Sequence, residues 1–136
     1  MLNILVITHG EFGRELIATA ESIVGHQENV YSVSLQHTET LVALSQKIDE
    51  IVKNFNNGEG AIILTDMLGG TPCNACLSLS TNKKIEIISG VNLYMLISAF
   101  LHRATMQSDE LAQKIIADGI KNITNAKKMF LEKLKK

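Results

Sequence analysis

The sequence predicts an α/β protein: a doubly wound, mostly parallel sheet of about four strands in the order 2-1-3-4, flanked by helices. Three observations carry this expectation. Leu2–Thr8 and Ala61–Thr65 are almost continuously apolar and rich in Ile, Val and Leu, as strands buried on both faces of a parallel sheet are. Val30–Leu35 and Lys84–Ile88 are further short strand-like runs. The segments between the runs place apolar residues at helical spacing, and strands alternating with helices imply right-handed crossovers.

Taken in order, Leu2–Thr8 is the first strand and His9-Gly10-Glu11-Phe12-Gly13 a loop. Arg14–Val24 is a helix with Leu16, Ala20, Ile23 and Val24 on one face, closed by Gly25. After the second strand, Thr38 or Thr40 caps a helix whose stripe is Leu41, Leu44, Ile48, Ile51, Val52 and Phe55, ending before Gly58. The third strand leads into a Gly-rich turn, Asp66–Pro72, and Pro72 suits the first turn of the next helix. Beyond the fourth strand, Val91–His102 and Ser108–Ile116 read as helices. Ser108 is a candidate cap, with Asp109 and Glu110 in an acidic first turn and His102 beside a helix C-terminus. The Lys-rich stretch Asn125–Lys136 also reads as helical.

Composition narrows the function. The length of 136 residues predicts one domain, 1–136, large enough to bury a core without staples. With 46% hydrophobic and 20% charged residues the chain is not disordered. Thirteen Lys and Arg against fourteen Asp and Glu give no basic surplus for nucleic acid. No apolar run approaches the ~18–20 residues of a membrane span. Met1–Thr8 lacks the basic region and cleavage site of a signal peptide, and two cysteines make no disulfide framework, so a cytoplasmic protein is expected.

Ligand sites in doubly wound sheets form beyond the strand C-termini, where the strand order reverses. In the order 2-1-3-4 the loops after strands one and three share that crevice. The first offers His9, which can serve as phosphate-accepting nucleophile, general base or metal ligand. The second offers Asp66, which can accept a hydrogen bond from one imidazole nitrogen and leave the other to attack. Gly69-Gly70-Thr71-Pro72 then brings successive N–H groups, a hydroxyl and a helix N-terminus, a cradle for one phosphoryl group. No Gly-Lys-Ser/Thr follows, so a nucleotide is not expected. Cys73 and Cys76 form a C-x-x-C at a helix start, the mark of a redox dithiol. Asp66 nearby opposes a thiolate, and no Trp precedes the pair. His26, His37 and His102 are scattered, which gives no zinc spacing and no expected metal or cofactor. The stretch Thr8-His9-Gly10 resembles the Arg-His-Gly of histidine phosphatases only weakly, because Thr8 stands where that family needs Arg.

Three segments together carry a more specific resemblance: strand-His9-Gly10, Asp66-Met67-Leu68-Gly69-Gly70-Thr71-Pro72-Cys73-Asn74, and Gly90-Val91-Asn92-Leu93-Tyr94-Met95-Leu96. Across nearly its whole length the chain resembles the IIA component of mannose-type sugar phosphotransferase systems. The resemblance implies a phosphocarrier: His9 would take a phosphoryl group from HPr and pass it to a IIB component during sugar uptake. Asp66 would orient the imidazole, Thr71 would contact the phosphoryl group, and the protein would be a homodimer. Tyr94 departs from the Pro usual in the third segment. The C-terminal edge strand that some members exchange between subunits is not found in the helical-looking tail, which leaves strand swapping open and helix Val91–Leu101 as the alternative dimer contact. Phe12, Met67 and Leu68, large apolar residues in loops beside the site, are the expected docking rim for both partners. A regulatory module of the same fold, phosphorylated to signal, and a dithiol oxidoreductase are the alternatives.

Overall fold

The computed structural model describes residues 1–55 and 58–135. Four parallel strands, β1 (Asn3–His9), β2 (Val30–Leu35), β3 (Ala61–Thr65) and β4 (Ile85–Ser89), stand in the order β2-β1-β3-β4, as the sequence predicts. β1 pairs with β2 from Ile4 opposite Val30 to His9 opposite Leu35. On its other side it pairs with β3 from Asn3 opposite Ala61 to Ile7 opposite Thr65. This register places Asp66, the residue after Thr65, beside the C-terminal end of β1.

Side chains alternate between the two faces of a strand, and the core divides accordingly. Ile4 and Val6 of β1 with Ile62 and Leu64 of β3 pack under helices α1 (Phe12–Val24), α4 (Leu93–His102) and α5 (Ser108–Lys121). Leu5 and Ile7 with Ala61 and Ile63 face α2 (Leu41–Lys53) and α3 (Thr71–Cys76). Right-handed crossovers require this division, because the chain steps one way from β1 to β2 and the opposite way from β2 through β3 to β4. A 3₁₀ turn, Leu77–Leu79, follows α3.

Helix starts differ from expectation where the capping group is not local. α1 begins at Phe12 rather than Arg14, and its N-cap, Glu11, gives no side-chain bond. The acceptor is instead Thr8 Oγ1, fully buried on β1, which takes the Gly13 N–H at 2.7 Å. Thr40, not Thr38, caps α2 through the Ala43 N–H. α4 starts at Leu93 with Asn92 as its cap, on the Met95 N–H. Ser108 does not cap α5; it is the first helical residue, it is buried, and Gln107 precedes it as N-cap without a side-chain bond. α5 continues past Ile116 to Lys121. The tail forms α6 (Ala126–Leu134), capped by Asn125; Lys136 lies outside the described residues.

α4 turns Met95, Leu96, Ser98, Ala99 and Phe100 inward and leaves Tyr94 and Leu101 exposed. No residue of α6 is buried, and Met129, Phe130, Leu131 and Leu134 stand at the surface. Arg103, by contrast, is 2% exposed. Its guanidinium donates to the carbonyls of Leu2 (3.3 Å), Asn29 (3.4 Å) and Glu28 (2.6 Å) and to Gln27 Oε1 (3.1 Å). It thereby ties the end of α4 to the start of β1 and the segment before β2. Among the described residues no helix is long and apolar enough to cross a membrane.

Candidate functional site

The site forms where β1 and β3 end side by side. His9 is the last residue of β1 and its side chain is about half exposed, whereas that of Asp66 is only 12% exposed. Asp66 Oδ2 accepts two hydrogen bonds from the same residue, one from the His9 backbone N–H at 3.0 Å and one from the ring at Nδ1, 2.8 Å away. An ionised carboxylate can only accept, so Nδ1 carries the proton in this contact, and in the neutral imidazole Nε2 then keeps its lone pair. Burial pushes the Asp66 carboxyl up, but the backbone and ring hydrogen bonds from His9 outweigh that and hold its pKa below the ordinary carboxylate value.

The turns that shape this pair are set by local sequence. Gly10 donates its N–H to the Leu35 carbonyl at 2.9 Å, which folds the chain tightly after His9. In the β3–α3 turn, Gly69 sits at φ +80°, a left-handed conformation that L side chains avoid. At Gly70 the reason is space: a Cβ there would lie 3.3 Å from His9 Cε1, against the ring itself. The Gly70 N–H turns toward the Met67 carbonyl at 3.4 Å, a long bond. Pro72 occupies the first turn of α3, as expected.

A cavity of about 470 Å³ opens in front of the pair. It is lined by His9, Gly10 and Thr71, by Leu35 at the end of β2, and by Gln36, His37 and Glu39 of the β2–α2 connection. Glu39 accepts the Gln36 N–H at 3.1 Å and pairs with Lys47 Nζ at 2.7 Å. The Lys47 contact, helped by the Gln36 N–H, holds the Glu39 carboxyl below its ordinary pKa. The structure thus brings His9, Asp66, Gly70 and Thr71 together. It adds His37 and Glu39, which the sequence analysis did not place here. The signal missed was topological: β2 runs parallel beside β1, so the connection leaving β2 must rim the same end of the sheet.

The remaining expected residues lie around this center or below it. Phe12 (48% exposed), Met67 (59%) and Leu68 (82%) are solvent-facing large apolar residues at the same end of the sheet, outside the cavity lining. Cys73 and Cys76 are free and buried within α3. Cys76 Sγ donates to the Pro72 carbonyl at 3.2 Å, and burial, with Cys73 beside it, pushes its thiol up to about 12. That environment opposes the thiolate a redox dithiol requires. Among the described residues no group of three or more His, Cys, Asp or Glu could hold a metal ion.

The family described as the fructose IIA component of the phosphotransferase system (PTS), EIIA-man, matches residues 3–116. The chain belongs to this IIA family. It is 31% identical over 132 residues to the PTS mannose-specific EIIAB component of Escherichia coli K12, covering 96% of this chain and 41% of that protein. The chain therefore spans about two-fifths of the length of that relative. Among solved structures, phosphotransferase component EIIA from Streptococcus agalactiae superposes with a TM-score of 0.86 at 32% identity, covering 94% of this chain and 99% of that one. The mannose/sorbose-specific IIA subunit from Enterococcus faecalis gives 0.83 at 28% identity, covering 91% and 93%. Membership in the IIA family supports a phosphoryl-transfer role of transferase type in sugar uptake.

Proposed function

We propose that the chain is a single IIA domain, 1–136, acting as a phosphohistidine carrier that accepts a phosphoryl group from HPr on His9 and passes it to a IIB component. The 2.8 Å contact between His9 Nδ1 and Asp66 Oδ2 carries this reading. In the neutral ring this contact leaves Nε2 as the nucleophile. The Nε2 lone pair attacks phosphorus, the donor's bond to phosphorus breaks, and the electron pair stays with the donor. The imidazole becomes positive as the new N–P bond forms, and the partly buried Asp66 carboxylate stabilises that charge. Transfer to IIB reverses the same steps.

Phosphoryl transfer needs positioning and electrostatic help more than covalent machinery. Thr71, which lines the cavity together with His9, supplies a hydroxyl to the phosphoryl oxygens. Gly69 and Gly70 let the turn approach the ring closely enough for its N–H groups to share the anion's charge. Phe12, Met67 and Leu68 form the apolar rim both partners contact. Residues 1–120 carry thirteen Asp and Glu against seven Lys and Arg, which suits partners with a basic contact face. A second copy of the chain is the natural cover for the exposed apolar residues of α6 and for Ile116, Ile120 and Ile123, rather than the inward-turned α4.

Incubation with phosphoenolpyruvate, enzyme I and HPr, followed by intact mass, tests the reading. An acid-labile phosphoryl adduct is expected on the wild type and absent from His9→Ala. An adduct that persists in His9→Ala, or none on a folded wild type, overturns it.

A further inference from the structure

His37 has no part in the carrier step described above, yet it opens onto the same cavity as His9. A phosphoryl group on His9 Nε2 would occupy that cavity and, like other phosphoryl groups near neutral pH, carry between one and two negative charges. The surrounding charge balance is poor. Asp66 is committed to Nδ1, and Glu39 brings a second carboxylate to the cavity wall. The lysine that answers Glu39 is Lys47, which pairs with it directly. Glu11 stands behind Gln36, with Arg14 at 3.4 Å from its other oxygen. Gly10, Leu35, Gln36 and Thr71 are neutral. Apart from His9 itself, His37 is the one side chain lining this cavity that can become a cation.

We propose that His37 is a second phosphoryl-binding residue of the site, contacting the phosphoryl group on His9 as an imidazolium and stabilising the phosphorylated state. The proposal rests on the carrier reading and deepens it. It gives the carrier a pH-linked affinity for its cargo: a proton on His37 favours the phosphorylated form, and phosphorylation of His9 favours that proton in equal measure. His37 and His9 line the same cavity, and the Asp66 contact is made at Nδ1, leaving Nε2 to carry the phosphoryl group.

The measurement is the equilibrium constant for phosphoryl exchange with HPr, taken from the phosphorylated fractions of both proteins at pH 6.0 and pH 8.5. His37→Gln should lower the constant roughly fivefold at pH 6.0, the size of a partly exposed charge-assisted contact. The loss should be smaller at pH 8.5 than at pH 6.0, because the contact needs a proton on the imidazole. His37→Lys, charged at both values, should stay above His37→Gln at both. The phosphorus resonance of the wild-type phosphohistidine should also titrate at lower pH than in His37→Gln. Equal constants for wild type and His37→Gln at both pH values overturn the proposal, as does an equal loss at both, which marks a merely structural role. A folded wild type that takes no phosphoryl group on His9 overturns the carrier reading first, and this inference with it. Phosphorylation of His9 without any His37 effect overturns this inference alone.

Discussion

Asp66 Oδ2 holds His9 at two points, the backbone nitrogen at 3.0 Å and ring Nδ1 at 2.8 Å. One contact fixes where the residue sits, and the other fixes how its ring is turned and where its proton lies. Asp66→Asn keeps the shape but removes the charge, and its amide N–H₂ can favour the wrong tautomer. Single-turnover transfer from phosphorylated HPr should fall on the order of 10²–10⁴-fold. Thr71→Ala should cost less, because backbone donors remain. Near wild-type transfer by Asp66→Asn would reduce Asp66 to a turn cap.

The same carboxylate predicts a pH dependence of stability. Its folded-state pKa is lowered, so the contact stabilises the fold above the unfolded value of about 3.9 and fades as pH falls through the folded value. In urea denaturation, wild type and Asp66→Asn should differ at pH 5, and the difference should shrink steadily toward pH 2. A difference that grows on acidification contradicts the lowered pKa.

Gly70→Ala tests the clearance beside the ring. A Cβ 3.3 Å from His9 Cε1 forces the ring or the turn to yield by a few tenths of an ångström. Small displacements of a reacting group are costly, so transfer should slow roughly three- to tenfold with the fold intact. Unchanged transfer would show that the turn yields instead of the ring.

Met67→Asp places a charge on a 59%-exposed apolar side chain of the rim. The folded state should be unaffected, because surface changes away from special features cost little. The KM for phosphorylated HPr should rise about tenfold with a smaller change in the maximal rate. If neither moves, the rim lies elsewhere.

Arg103→Leu separates fold from chemistry. It leaves the carbonyls of Leu2, Glu28 and Asn29 without their donor, which should destabilise the chain by roughly 3 kcal/mol. Transfer per folded molecule should be unchanged, since Arg103 is remote from the cavity lining.

The architecture and the paired loops were legible because they depend on local patterns that the fold reuses. Buried parallel strands announce themselves as apolar runs, and strand order brings His9 and Asp66 together. What stayed hidden depends on contacts between distant residues. The start of α1 is capped by Thr8 from the strand below, so the sequence around Phe12 holds no cap to read. Ser108 has the chemistry of a cap but is drawn into the helix and buried. Arg103, a charge at the end of an apolar helix, gives no hint that it will reach Leu2, 101 residues away. In the sequence His37 stands apart from His9, and the two line one cavity only once β2 lies beside β1.

The location of His9 at the tip of β1, one of the two strands with a hydrogen-bonded neighbour on each side, has a kinetic consequence. In the proposed carrier step, a nucleophile mounted at the end of a central strand already stands in place before its partner arrives. The interval between successive transfers is then governed by how often loaded donors and empty acceptors collide with it in the right orientation. Such a relay has no clock of its own: its throughput should rise linearly with donor concentration until the surface is continuously occupied.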